Sequence, residues 1–217
     1  MKLAQMTKEE LRRRLRLYVV TDERKDTQSL LDTTAAAIQG GATAIQLRRK
    51  ADLGRHFVDL AYAIRRMTRE ADVLFFVNDR VDIALLCDAD GIHVGQDDLS
   101  CMEVKKLFPD ALVGVSAAGV EEALAAEQQG ADYLGVGAVY PTNSKPDADF
   151  TGLEGLSLVT QSVSLPVVAI GGINVERASS VLKAGADGIA VVSAVMSADD
   201  PRMASMELIH RMEISGG

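Results

Sequence analysis

The sequence predicts a single-domain α/β protein, a (β/α)8 TIM barrel with an extra N-terminal helix. Three observations predict it. Short apolar runs alternate with longer amphipathic stretches from end to end. Several of these runs are continuous Val/Ile/Leu without polar alternation, the pattern of parallel strands covered on both faces. A short motif of the form Gly-Ala-Asp recurs where an amphipathic stretch gives way to an apolar run. About eight such units in roughly 200 residues is the economy of a small barrel. An open doubly wound sheet is the alternative. Against it, no GxGxxG follows the first run, which leads into the charged loop Asp22-Glu-Arg-Lys-Asp26.

The elements follow in order. Residues 1–16 read as a helical extension, with Thr7 and Glu10 at capping-box spacing, worth about 1 kcal/mol. The first apolar run, 17–21, is followed by a helical stretch over 29–39, and the second, 44–47, by one over 54–70. The third and fourth runs are 73–77 and 91–94. The fifth, 112–115, precedes a helix over 120–129, and 133–136 is the sixth. The seventh, 167–170, precedes a helix over 175–183, and 188–192 is the eighth. Gly41-Ala-Thr-Ala, Asp88-Ala-Asp-Gly91, Gly130-Ala-Asp-Tyr133 and Gly185-Ala-Asp-Gly188 mark four of the joints. The glycine suits a left-handed helix end, and the small residue lets the helix close onto the strand.

Composition bounds the function. The chain has 217 residues, 47% hydrophobic and 25% charged, and 23 Lys+Arg against 31 Asp+Glu give a net charge of −8. A chain this acidic is a poor candidate for nucleic-acid or anionic-membrane binding, so any anion site must be a local concentration of basic groups. Cys87 and Cys101 lack CxxC spacing and cannot make a disulfide framework, as suits a reducing compartment. The apolar runs fall far short of the roughly 20 residues of a membrane span. Residues 1–16 show neither the apolar core nor the cleavage site of a signal peptide. A cytoplasmic protein is expected, and scattered Met and Ala on its helices allow a homo-oligomer.

In such a barrel chemistry gathers where strands end. The second run ends in Gln46-Leu47-Arg48-Arg49-Lys50, and strand spacing puts Gln46, Arg48 and Lys50 on one side as an anion clamp. A solvated basic loop is the alternative. The third run ends in Asn78-Asp79 and the fourth in Gly95-Gln96-Asp97-Asp98. Carboxylates at neighbouring strand ends can share a hard cation such as Mg²⁺, with water and phosphate oxygens completing its shell. The alternative for Asp79 and Asp98 is helix N-capping. His93 has no second histidine at ligand spacing and reads as structural, with an inward position near the mouth left open.

The fifth run leads to Ser116-Ala-Ala. The sixth leads to Pro141-Thr142-Asn143-Ser144-Lys145, where hydroxyls and a lysine can clasp a phosphate, and 146–150 can form a lid. The seventh ends in Gly171-Gly172-Ile173-Asn174 and the eighth in Val192-Ser193-Ala194. Loops there form the recurrent phosphate site of these barrels, where backbone N–H groups approach the anion. The alternative for the first of them is a tight turn with Asn174 as N-cap.

From Leu17-Tyr-Val-Val-Thr-Asp22 to Val192-Ser193-Ala194 the chain resembles the thiamine-phosphate synthase family. The motifs are Gln46-x-Arg48-x-Lys50, Val77-Asn78-Asp79, Asp90-Gly-Ile-His-Val-Gly-Gln96-Asp97-Asp98, Gly114-Val-Ser116, Tyr140-Pro-Thr-Asn-Ser-Lys145 and Ala169-Ile-Gly-Gly172. The resemblance implies an enzyme that joins a hydroxymethylpyrimidine diphosphate to a thiazole phosphate and releases pyrophosphate. It implies Gln46, Arg48, Lys50, Asn78, Ser116 and Lys145 around the pyrimidine diphosphate, and Asp79 and Asp98 on its Mg²⁺. Thr142, Ser144, Gly172, Val192 and Ser193 would cradle the thiazole phosphate. Leu47, Arg49 and Asn143 count as substrate-binding with their stretches, and Arg48, Lys50, Lys145 and Ser116 as catalytic. Two positions depart from the family pattern: Ala118 stands where a histidine is common, and Arg49 where an acidic residue is. No Ser-His-Asp or Cys-His arrangement offers a nucleophile, which suits dissociative loss of pyrophosphate. A thiazole tautomerase-like paralogue, a phosphosugar isomerase barrel and a non-catalytic phosphate-ligand binding barrel are the rivals. The full clamp with both aspartates argues against the first.

Overall fold

The computed structural model describes residues 6–50, 54–142 and 150–215. Helix α1 (Lys8–Arg14) leads into β1 (Leu17–Val20), α2 (Thr27–Gln39), β2 (Ala44–Leu47) and α3 (Gly54–Glu70). Then come β3 (Leu74–Asn78), α4 (Val81–Leu86), β4 (Gly91–Val94), α5 (Cys101–Leu107) and β5 (Leu112–Ala117). After α6 (Val120–Gln128) follow β6 (Tyr133–Val136), α7 (Gly152–Ser162), β7 (Val167–Ile170) and α8 (Val175–Lys183). β8 (Gly188–Val191), the one-turn α9 (Ser193–Met196) and α10 (Pro201–Ser215) complete the chain. The eight strands pair in parallel in chain order, and β1 closes on β8 with Leu17 beside Ile189 and Val19 beside Val191. This is the (β/α)8 barrel the alternation predicts.

Side-chain alternation divides the core in two. On β1, Leu17 and Val19 face the helices and join an outer layer with Ile45, Leu47, Phe75 and Val77. Tyr18 and Val20 point inward and meet Phe76, Leu112, Tyr133 and Val168 inside the barrel. Helix α1 closes the far end, adding Leu11 and Leu15 to that interior cluster. Its N-terminus is capped as expected, with Thr7 Oγ1 accepting from the Glu10 N–H at 3.1 Å.

The recurring Gly-Ala-Asp joint has a structural reason. Asp90, Asp132 and Asp187 each stand just before an even-numbered strand and bond the preceding odd-numbered strand twice. The Asp90 carboxylate accepts from the Phe75 N–H at 2.8 Å, while its own N–H donates to the Phe75 carbonyl at 2.9 Å. Asp132 does the same with Val113 (2.7 and 2.8 Å), and Asp187 with Val167 (2.8 and 2.8 Å). In the first unit Thr43 takes the place of the aspartate and accepts from the Leu17 N–H at 3.0 Å. Each aspartate carries a cationic partner, Arg65, Lys105 and Arg12 respectively. The first motif residue is left-handed, as at Gly130 (φ 88°), and Asp88 (φ 54°) adopts the same conformation without being glycine.

Element ends differ from the sequence reading where polar residues extend a strand or a cap intervenes. β3 reaches Asn78 and β5 reaches Ala117, because Asn78 and Ser116 continue their strands. α2 starts at Thr27, since Asp26 caps it by accepting from the Ser29 N–H at 3.1 Å. The short α4 and α9 show too few turns for a period to give their bounds.

Candidate active site

A cavity of about 420 Å³ opens where the strands end at their C-termini. Its floor is the apolar and aromatic interior, with Tyr18, Tyr133, Val168, Ile170 and Ala190, and its rim is polar. The barrel is kept roomy enough for the rings by glycine. A Cβ on Gly114 would sit 2.1 Å from Tyr133, and one on Gly135 2.8 Å from His93.

On the β2 side Gln46, Arg48 and Lys50 all line the cavity, as their spacing predicts. Gln46 is buried and donates from Nε2 to the Tyr18 hydroxyl at 3.0 Å. The Arg48 N–H donates to Thr21 Oγ1 at 3.0 Å, and its guanidinium meets Glu23 at 3.4 Å. Glu23 Oε1 also accepts from the Lys50 N–H at 2.9 Å. Thr21 and Glu23, from the charged loop after β1, thus fix the backbone and side chains of the clamp. Two sequence assignments need correction. Leu47 faces the helices, fully buried in the outer core layer. Arg49 is also turned from the cavity, its guanidinium donating to the carbonyls of Asp22 (3.3 Å) and Arg24 (2.7 Å). Each lies one residue off the inward-facing set, so period-two alternation sends its side chain to the other face.

Asp79 and Asp98 meet at the rim. Asp79, at a left-handed turn (φ 59°) after β3, donates its N–H to the His93 carbonyl at 2.9 Å and pairs with Lys50 Nζ. Asp98 accepts from the Gly95 N–H at 2.8 Å. The helix-cap alternative fails for both. The N-cap of α4 is Arg80, and α5 is capped by Ser100, whose hydroxyl accepts from the Glu103 N–H in a full capping box. Burial pushes the Asp79 carboxyl up, the bond to Lys50 opposes that, and Asp98 beside it adds to the rise. Among the described residues no cluster of three or more His, Cys, Asp or Glu forms. Two facing carboxylates on a cavity rim fit a hard divalent ion that takes its remaining oxygens from water and phosphate.

The sequence reading underrated His93. It sits at the inward end of β4, lining the cavity, with Nδ1 3.0 Å from the Tyr133 hydroxyl and Nε2 3.0 Å from Ser116 Oγ. The phenols of Tyr133 and Tyr18 lie 2.8 Å apart. Their inward parity was readable from their runs, but nothing local showed that they would meet. Asn78 and Ser116 line the cavity as expected, and the Ser116 carbonyl accepts from Gln96 Nε2 at 2.6 Å.

On the β7 and β8 side, with β1 between it and the clamp, Gly171, Gly172, Val192 and Ser193 line the wall. Gly172 is left-handed (φ 61°), and a Cβ there would lie 2.6 Å from the Pro141 carbonyl oxygen. Asn174 does cap α8, accepting from the Arg177 N–H at 3.1 Å, so turn and cavity wall coexist. Arg177 was not singled out from the sequence. Its guanidinium donates to the Gly172 carbonyl at 2.6 Å and stacks 4.6 Å over the Tyr140 ring, tying the β7 and β6 loops together. Thr142 reaches the cavity. Asn143, Ser144 and Lys145, with the lid expected over 146–150 save Phe150, lie outside the described residues. At Ala118, where the family commonly has histidine, the backbone N–H donates to Glu122 at 2.7 Å.

Comparison with known proteins agrees with the geometry. A family model described as thiamine monophosphate synthase matches residues 17–195. The chain is 50% identical over 198 residues to a thiamine-phosphate synthase of Pyrococcus furiosus, covering 91% of this chain and 95% of that one. It is 53% identical over 197 residues to one from Coprothermobacter proteolyticus, covering 90% and 93%. A solved thiamine phosphate pyrophosphorylase from Pyrococcus furiosus superposes with a TM-score of 0.87 at 47% identity, over 95% of this chain and 100% of that one. A 3-hexulose-6-phosphate synthase at 21% identity and TM-score 0.68 shares the fold alone. With the family model spanning all eight strands and relatives matched over about nine-tenths of the chain, the chain belongs to the thiamine monophosphate synthase family.

Proposed function

We propose that the cavity joins a hydroxymethylpyrimidine diphosphate to a thiazole phosphate, giving thiamine phosphate and pyrophosphate. One observation carries this reading. A single cavity is lined both by Arg48 and Lys50 with the two aspartates and by the glycine-rich Gly172–Ser193 wall, over a floor that includes Tyr18 and Tyr133, which supports a reading with two anion-binding ends. An isomerase acting on one monophosphate has no use for both ends.

The reacting carbon is a CH₂ on an electron-rich aminopyrimidine. Its C–O bond breaks with the electron pair leaving on pyrophosphate, and the ring delocalises the cation that remains. The thiazole nitrogen then supplies the pair for the new C–N bond. Such a route needs no enzymic nucleophile, and both cysteines are buried away from the cavity. Arg48, Lys50 and Lys145 stabilise the departing charge, while Gln46, Asn78 and Ser116 hold the pyrimidine diphosphate. Thr142, Asn143, Ser144, Gly172, Val192 and Ser193 seat the thiazole phosphate, the last three largely through backbone groups. Asp79 and Asp98 hold Mg²⁺, which when bound neutralises diphosphate oxygens. Lys50 is 55% exposed at its side chain and so can exchange Asp79 for phosphate.

No helix among the described residues is long and apolar enough to cross a membrane. A cytoplasmic setting is part of the proposal, supported by two free cysteines. Exposed apolar residues such as Leu86, Met102 and Leu107 leave room for a homo-oligomer, which sedimentation velocity would read. The site assignment is tested by titrating activity with Mg²⁺ in parent and Asp98→Asn. The variant should need far more Mg²⁺ for half-maximal rate. Superimposable titrations would remove Asp98 from the metal site.

A further inference from the structure

Five polar groups form one continuous hydrogen-bonded row across the barrel interior: Gln46, Tyr18, Tyr133, His93 and Ser116. Their successive separations are 3.0, 2.8, 3.0 and 3.0 Å. They come from five strands, β2, β1, β6, β4 and β5. Tyr18 and Tyr133 are buried to 2% exposure or less, and the hydrogen bonds of their hydroxyls run along the row. Burial also pushes both phenols well above the usual tyrosine range, so each keeps its single proton. The proton of each hydroxyl therefore has to go to a neighbour in the row, because an unmet buried O–H costs its full desolvation.

The direction follows from one end. Gln46 Nε2 is a donor only, so the Tyr18 oxygen accepts there and its own proton goes on to Tyr133. Tyr133, having accepted, donates to His93 Nδ1. An imidazole that accepts at Nδ1 and is neutral carries its proton at Nε2, which donates to Ser116 Oγ.

We propose that this row fixes His93 as the neutral Nε2–H tautomer and so leaves the Ser116 proton aimed into the cavity as a donor to the pyrimidine diphosphate. Tyr18, Tyr133 and His93 are then positioning residues acting through Ser116. With the row reversed, Ser116 would spend its proton on His93 and could meet the substrate only as an acceptor. The functional half rests on the assignment of Ser116 to the pyrimidine diphosphate. The tautomer half does not, and the two are read separately.

The test is two-bond ¹H–¹⁵N correlation of the histidine rings in the full chain without substrate. There are 3 histidines, and the His93 signals are assigned by their loss in His93→Asn. The expected result is one tautomer, with Nε2 protonated and Nδ1 bare. A protonated Nδ1, or an even mixture, would overturn the proposed direction whatever Ser116 does. Tyr133→Phe keeps the ring and removes the donor to Nδ1. It should give a mixture of tautomers and lower kcat about tenfold, the effect of one misdirected hydrogen bond, with KM changed much less. A mixed tautomer with unchanged kcat would overturn the link to Ser116 and leave the synthase reading standing.

Discussion

Lys50 and Asp79 form an ion pair on the cavity rim, and the proposed roles of both set what single substitutions should do. Lys145→Ala and Lys50→Ala each remove a cation from the departing diphosphate. Each should cost roughly 10² in kcat with the fold intact, the scale of one preorganised electrostatic contact. Steady-state kinetics on variants with parent-like circular dichroism checks this, and unchanged turnover for either would return that lysine to the loop. A second consequence concerns thiols. Burial pushes Cys87 up to about 11 from its ordinary 9.0. The unfolded thiol then ionises while the folded one stays protonated, so stability should fall as pH rises from about 9 to about 11. Urea midpoints across that interval should slope down less in Cys87→Ala than in the parent, and parallel slopes would contradict it. At residue scale the sequence showed that Gln46, Arg48 and Lys50 would face one side together, because they share a parity, and all three line the cavity. It did not show His93 as part of the site, because the groups that recruit it, Tyr133 and Ser116, are 40 and 23 positions away.

The aspartate joints make the elements cooperative. Asp90 satisfies the Phe75 N–H and accepts both Arg65 Nη1 and Nη2, at 2.8 and 3.1 Å, with both side chains 13% exposed. Asp90→Ala strands a guanidinium and a backbone N–H together, and it should destabilise by about 3 kcal/mol. Asp187→Ala should cost less, because its partner Arg12 is 32% exposed and solvent can replace the lost contact. Paired urea melts give the ranking, and equal losses would refute the role assigned to burial. The joints were legible as a repeated motif, and their left-handed first residues follow from it. Their partners were not, since each aspartate reaches back 15 to 20 positions to a strand already formed. The bounds of α4 and the presence of α9 were not legible for a simpler reason: α4 has 6 residues and α9 has 4, less than two turns each.

For the whole molecule, closure of the barrel turns scattered strand ends into one cavity. Arg48 and Ser193 are far apart in the chain, yet they line the same space because β1 lies between β2 and β8. Inside the barrel, glycines on β5 and β6 leave room for Tyr133 and His93, which then line the cavity. Under the proposed assignment, two phosphorylated substrates meet in this cavity without a covalent enzyme intermediate, one held at the Arg48–Lys50 side and the other at the Gly172–Ser193 wall. The most direct test is to incubate the purified chain with Mg²⁺, the pyrimidine diphosphate and the thiazole phosphate, and to follow pyrophosphate and thiamine phosphate together. Equal amounts of both products are expected, abolished by EDTA and absent with either substrate alone. A folded protein that binds the thiazole phosphate yet forms neither product, or releases pyrophosphate without the thiazole, would contradict the account.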